Sequence, residues 1–223
     1  LELFYLKYKH DSKLPDKDYL TITFSMLLKK EILIPDEYSE LYEKGIEWLE
    51  GYYDLYKSSS REPILLEYSL RRKNIVWETV PLTGTIDKIE KTWISTEGSV
   101  WESGQMWFFK DRVSLVDYKT WSAKSLGQIK WVDRYGNKKD DPSEGKYFRQ
   151  LMFYKLLCEN DREFMDSFEI WSLALDFVEW KKWNYKFVEV DISDEEFEEF
   201  KTTVSEAWSQ ITDIDFWKEL LQK

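Results

Sequence analysis

The chain has 223 residues, of which 43% are hydrophobic and 34% charged, with a formal net charge of −11. That is enough apolar material for one large domain, or a core with an attached helical segment. A single cysteine, Cys158, and a single histidine, His10, exclude an internal disulfide, a four-cysteine iron–sulfur cluster and a zinc centre built on several imidazoles.

No apolar run reaches the length of about eighteen residues that a membrane span needs. No signal-peptide pattern opens the chain, so the expected compartment is the cytoplasm. The acidity is uneven. Residues 110–149 carry ten basic and six acidic side chains, a local +4 that leaves −15 on the remainder. Overall charge therefore leaves nucleic acid open as a partner, because phosphate contacts come from local lysines and arginines.

Residues 1–58 read as helices. The clearest is "PDEYSELYEKGIEWLEGYYDLY" (35–56), where Tyr38, Leu41, Tyr42, Ile46, Leu49 and Tyr53 recur near a period of 3.6 behind Pro35. "SSSREP" (58–63) breaks the pattern, and residues 59–223 form the expected core. Three strand-like stretches come next: "ILLEYSLRR", "IVWETVPLTGTIDKIEKTWI" and "MWFFKDRVSLVDYKT". With turns at Gly84 and Asp111 they predict an antiparallel meander. Residues 121–146 read as one long charged connection, a length that is usually functional or mobile. "GKYFRQLMFYKLLCEN" predicts a helix, and "SFEIWSLALDF" with "WNYKFVEVDI" a strand pair. "DEEFEEFKTTVSEAWSQI" closes the chain as a helix, with Ser193 and Glu196 at capping-box spacing. The expected fold class is α/β: one mixed sheet flanked by helices, with an N-terminal helical segment.

Chemistry gathers at "LVDYKT". Residues i and i+2 of a strand share a face, so Asp117 and Lys119 point together while Tyr118 points away. A carboxylate can hold a divalent metal, and an adjacent ammonium can stabilise charge or orient a water in phosphodiester hydrolysis. Alone, the triplet also describes a surface ion pair at a strand end. In "LTGTIDKIE", Asp87 falls on the neighbouring strand of the meander, where it either meets Asp117 or caps a turn or faces solvent. Two close carboxylates repel unless a cation lies between them. Gln150 and Tyr154, four apart on one helix face, are within reach of the same place, although such spacing also suits an ordinary amphipathic helix.

"GTIDKIE", "VDYKT" and "RQLMFYKLL", in this order, resemble the RecB-type branch of the PD-(D/E)XK nucleases. The likeness is to the nuclease module at the C-terminal end of bacterial UvrD/RecB-type helicases, and it covers most of the chain. It implies a restriction-endonuclease-like fold and a DNA nuclease dependent on Mg²⁺ or Mn²⁺. It also implies a place in DNA repair or recombination, with a helicase region of the same parent chain upstream of Leu1. Asp87, Asp117 and the backbone carbonyl of Tyr118 would be metal ligands, Lys119 the catalytic lysine, and Gln150 and Tyr154 the auxiliary motif.

The match has a gap. That branch carries a histidine ligand in a pattern like G-x-x-x-H-x-x-L-E, whereas this chain opens on "LELF". The expectation is a fragment that begins just past the histidine, with weak metal affinity as a result. His10 reads as an exposed residue beside Asp11. Glu67, in "ILLEYSL", is either a further acid near the metal or an edge carboxylate paired with Arg71 or Arg72. Most aromatic residues belong to the core. Trp121 and Trp131, with Lys124, Lys130, Arg134, Lys138, Lys139 and Arg149, are candidates for gripping DNA. Two other classes of function compete: a degenerate nuclease fold that binds DNA or a partner subunit without cutting, and a purely structural module.

Overall fold

The run from Val113 to Val116 becomes the centre of the molecule. In the computed structural model, which describes residues 1–57, 63–71, 73–92, 110–120, 122–132, 145–178 and 186–213, it lies in a strand whose residues 113–117 are all buried. A strand buried without alternation has both faces covered. Helices cover this one on each side.

Three helices lead: α1 (Glu2–Asp11), α2 (Lys17–Leu28) and α3 (Pro35–Tyr56). Pro35 starts α3, where its missing N–H costs nothing. The strands are β1 (Pro63–Ser69), β2 (Ile75–Trp77), β3 (Val80–Leu82), β4 (Thr85–Lys91) and β5 (Asp111–Lys119). A short α4 (Leu126–Lys130), then α5 (Lys146–Glu159) and α6 (Arg162–Ser167), lead to β6 (Phe168–Phe177), β7 (Lys186–Glu189) and α7 (Asp194–Thr212).

The main sheet has the order β1-β4-β5-β6-β7. β1, β4 and β5 pair antiparallel, β5 and β6 pair parallel, and β6 and β7 pair antiparallel. A parallel pair needs a crossover, and α4, α5 and α6 lie in the segment that supplies it. The fold is α/β with a mixed five-stranded sheet. Among the described residues, no helix is long and apolar enough to cross a membrane.

The expected meander is only partly right. "IVWETVPL" leaves the main sheet as a separate hairpin, β2–β3, turning at Glu78 with φ of 52°. Asp111 opens β5 rather than making a turn. The expected long connection also contains structure. Ser125 and Gln128 cap α4 reciprocally, an N-terminal signal hidden within "AKSLGQIK".

The sheet separates two cores. Leu115, Leu175 and Phe177 pack with Tyr147, Leu151 and Tyr154 of α5 and with Phe197 and Phe200 of α7. On the opposite side, Phe4, Tyr5, Leu20 and Tyr52 of the leading helices pack against Leu66 and Tyr118.

Candidate active site

The site forms where β4 and β5 part. Their ladder runs from Lys91–Val113 to Lys88–Val116 and stops there. Continued one step, the register sets Asp87 opposite Asp117. The Tyr118 N–H donates to Asp87 Oδ2 at 2.9 Å. The Tyr118 backbone therefore lies at the carboxylates, while its half-buried ring packs against the N-terminal helices.

From the α5 side, Gln150 fastens the group together. Lys119 Nζ donates to Gln150 Oε1 at 2.8 Å, and Gln150 Nε2 donates to Asp117 Oδ1 and to the Tyr154 hydroxyl, each at 2.9 Å. The Tyr154 hydroxyl donates to Asp117 Oδ1, also at 2.9 Å. The four-residue spacing of Gln150 and Tyr154 brings both side chains to one carboxylate. Asp117 is 2% exposed. Its Oδ2 is buried and accepts no hydrogen bond; the Lys119 ammonium pairs with it as an ion, outside hydrogen-bond alignment.

Electrostatics follow from this crowding. Burial pushes the Asp87 carboxyl above its ordinary pKa, and the charge of Asp117 adds to the effect against the Tyr118 N–H and Lys119. Burial, then the charge of Asp117, pushes the Tyr154 hydroxyl up, so it remains a proton donor at neutral pH. Two carboxylates, one with a buried oxygen that accepts no hydrogen bond, and a neighbouring backbone carbonyl form an oxygen donor set that suits a hard divalent cation. Among the described residues, no three His, Cys, Asp or Glu side chains group closely enough to hold a metal. The carboxylate pair would therefore depend on backbone or water oxygens to complete a shell.

Asp87, Asp117, Tyr118, Lys119, Gln150 and Tyr154 thus converge. Other candidates fare differently. His10 is exposed at the end of α1, with Nδ1 2.6 Å from Asp11 Oδ1. Glu67 forms no ion pair with Arg71, and Arg72 lies outside the described residues. Glu67 is exposed with φ of 47°, and partial burial together with the charges of Asp87 and Glu2 pushes its carboxyl up. Lys130 is removed from the DNA-gripping group, because both Glu196 oxygens hold it at 3.0 and 2.9 Å. Trp131 ends α4 with φ of 57°. Arg149 lies on the first turn of α5 beside Gly145. Lys124 stands 5.0 Å from the Tyr147 ring centroid. Trp121, Arg134, Lys138 and Lys139 lie outside the described residues.

Sequence reasoning missed the reverse face of the same strands. Lys88 is 1% exposed and lies 2.5 Å from Glu90 and 3.7 Å from Asp176, with the Tyr5 and Tyr118 rings 4.8 and 4.9 Å away. Tyr52 and Tyr56 each donate to Asp176 at 3.0 Å. The alternation in "IDKIE" already set Lys88 and Glu90 on one face, which was the available signal.

The sequence matches no protein-family model, and no curated protein matches it.

Proposed function

We propose that the chain is a divalent-metal-dependent deoxyribonuclease domain of the PD-(D/E)XK type, with a restriction-endonuclease-like core. It would act beside a helicase region of its parent protein in DNA repair or recombination. One observation carries the reading: Gln150 ties Lys119 to Asp117 at the point where Asp87 stands opposite, and Asp117 Oδ2 is left without a hydrogen bond. Asp117 Oδ2 faces the Lys119 ammonium without a hydrogen bond, so a divalent cation can add to it without breaking one.

In this reading Asp87, Asp117 and the Tyr118 carbonyl hold Mg²⁺ or Mn²⁺. When bound, such a cation supplies Lewis acidity toward a phosphate oxygen and an attacking water. Gln150 and Tyr154 fix Asp117 Oδ1 and so aim Oδ2 into the site. Gln150 also holds the Lys119 ammonium, which meets the charge that develops on the phosphate. Water oxygen bonds to phosphorus, the bond to the leaving sugar oxygen breaks, and that oxygen takes up a proton.

The test is incubation of the protein with end-labelled single- and double-stranded DNA in Mg²⁺, in Mn²⁺ and in EDTA. Cutting in either metal and none in EDTA is expected. Intact DNA under every condition would instead favour a binding module without catalysis.

A further inference from the structure

Beside the site, three ammonium groups share one aromatic ring. Tyr147, in the first turn of α5 and 8% exposed, has Lys119 at 4.9 Å, Lys124 at 5.0 Å and Lys146 at 5.6 Å from its ring centroid. No two of these charges are then more than about 11 Å apart, against a screening length of about 8 Å in physiological salt, so their repulsion is only partly screened. Lys119 is answered by Asp117. Among the described residues, neither Lys124 nor Lys146 has a carboxylate partner. Lys130 and Lys155, further along the same region, both have one in Glu196 and Glu159.

In a chain of net charge −11, two lysines with no carboxylate partner among the described residues, held together beside buried carboxylates, call for an anion from outside. The geometry points to a second phosphate subsite: Lys124 and Lys146, held against Tyr147, bind a backbone phosphate next to the one at Lys119. This rests on the nuclease reading and deepens it. The substrate is a nucleic-acid strand with at least two phosphates, gripped without regard to base, and not a mononucleotide. The face of Tyr147 keeps the two flexible side chains near one another without neutralising them. Gly145 caps α5 with φ of 71°, with Trp131 and the Arg149 guanidinium close beside it.

The experiment is fluorescence anisotropy of the full chain with a labelled single-stranded oligonucleotide in Ca²⁺, repeated across a range of salt. Four variants accompany it. The first is the double variant Lys124→Gln/Lys146→Gln. Its charge-matched control is Lys29→Gln/Lys30→Gln, two exposed positions just beyond α2. Tyr147→Leu and Tyr147→Phe complete the set, with thermal melts showing that each is folded. Loss of two phosphate contacts should flatten the plot of log affinity against log salt by about 1.4 and weaken binding about tenfold. The control pair should leave both quantities near the parent values. Tyr147→Leu should weaken binding, and Tyr147→Phe, which keeps the ring, should restore it.

A double variant with unchanged slope and affinity, or a control pair with an equal effect, overturns the subsite while leaving the nuclease reading intact. A parent protein that neither binds nor cuts DNA overturns both.

Discussion

Gln150 is the residue on which the site's geometry turns, since among the described residues it alone contacts Lys119, Asp117 and Tyr154. Gln150→Ala should slow cleavage about 10- to 100-fold, the usual loss when a group that orients a ligand is removed, with little change in the melting temperature. Gln150→Glu should lose as much, because a carboxylate cannot donate to Asp117. Single-turnover cleavage rates check both. A second residue-scale prediction concerns acid stability. Lys73 and Tyr68 donate to Asp161 Oδ2 at 2.8 and 2.6 Å. Burial of Asp161 works toward a higher pKa, but these hydrogen bonds outweigh it and hold the carboxyl below its usual value. The stability this contributes is present above the ordinary carboxylate pKa of about 4 and is lost as pH falls through the lowered value. Asp161→Asn should cost about 2 kcal/mol at pH 7 and show a shallower loss toward pH 3 in urea melts.

Individual helices follow local rules that a sequence displays. Ser193 and Glu196 cap α7 reciprocally, as their spacing foretold. Ser193→Ala should cost about 1 kcal/mol in a denaturant melt. The packing of α2 on α3 is less visible. Gly45 lies inside α3, where alanine would ordinarily raise helix propensity. A Cβ there would come within 2.1 Å of the Phe24 ring of α2. Sterics win, so Gly45→Ala should destabilise by about 1–3 kcal/mol, readable as a lower urea midpoint. The same contrast explains which elements were legible. Caps and the 3.6 period of α3 are encoded within a few residues. The β2–β3 hairpin was merged into β4 because "VPLTGTID" is apolar and β-branched on both sides of its break, and only tertiary pairing decides where each strand belongs. Asp87, Asp117, Lys119, Gln150 and Tyr154 were legible as a site because each stands at a strand or helix spacing that fixes its face. The Tyr147 cluster was not, since Lys124 reaches it from the segment before α4.

At the scale of the molecule, the sheet carries polar groups on both faces of the same strands. Asp87 and Asp117 face α5, and Lys88, Glu90 and Asp176 face the leading helices through Tyr5, Tyr52 and Tyr56. Asp176 is the register partner of Tyr118, so the network backs the residue whose carbonyl is proposed as a ligand. It joins segments distant in sequence, so the alternation in "IDKIE" set Lys88 and Glu90 on one face but no local pattern disclosed Asp176 or the tyrosines. Lys88→Met would leave Glu90 and Asp176 buried without their cation. It should cost about 3–5 kcal/mol in equilibrium unfolding. A loss below 1 kcal/mol would mean that the network contributes little to holding the N-terminal helices on the sheet.

The central claim is that Asp117 is a catalytic metal ligand and not half of a structural ion pair. The most direct measurement is single-turnover cleavage of labelled DNA in Mn²⁺ by the parent protein and by Asp117→Asn, each verified as folded by a thermal melt. Asparagine keeps the shape and an acceptor for Gln150 but removes the charge. A fall of about a thousandfold or more with the fold retained is predicted, as for loss of a group acting directly on the reaction. Cleavage by Asp117→Asn at the parent rate would contradict the account.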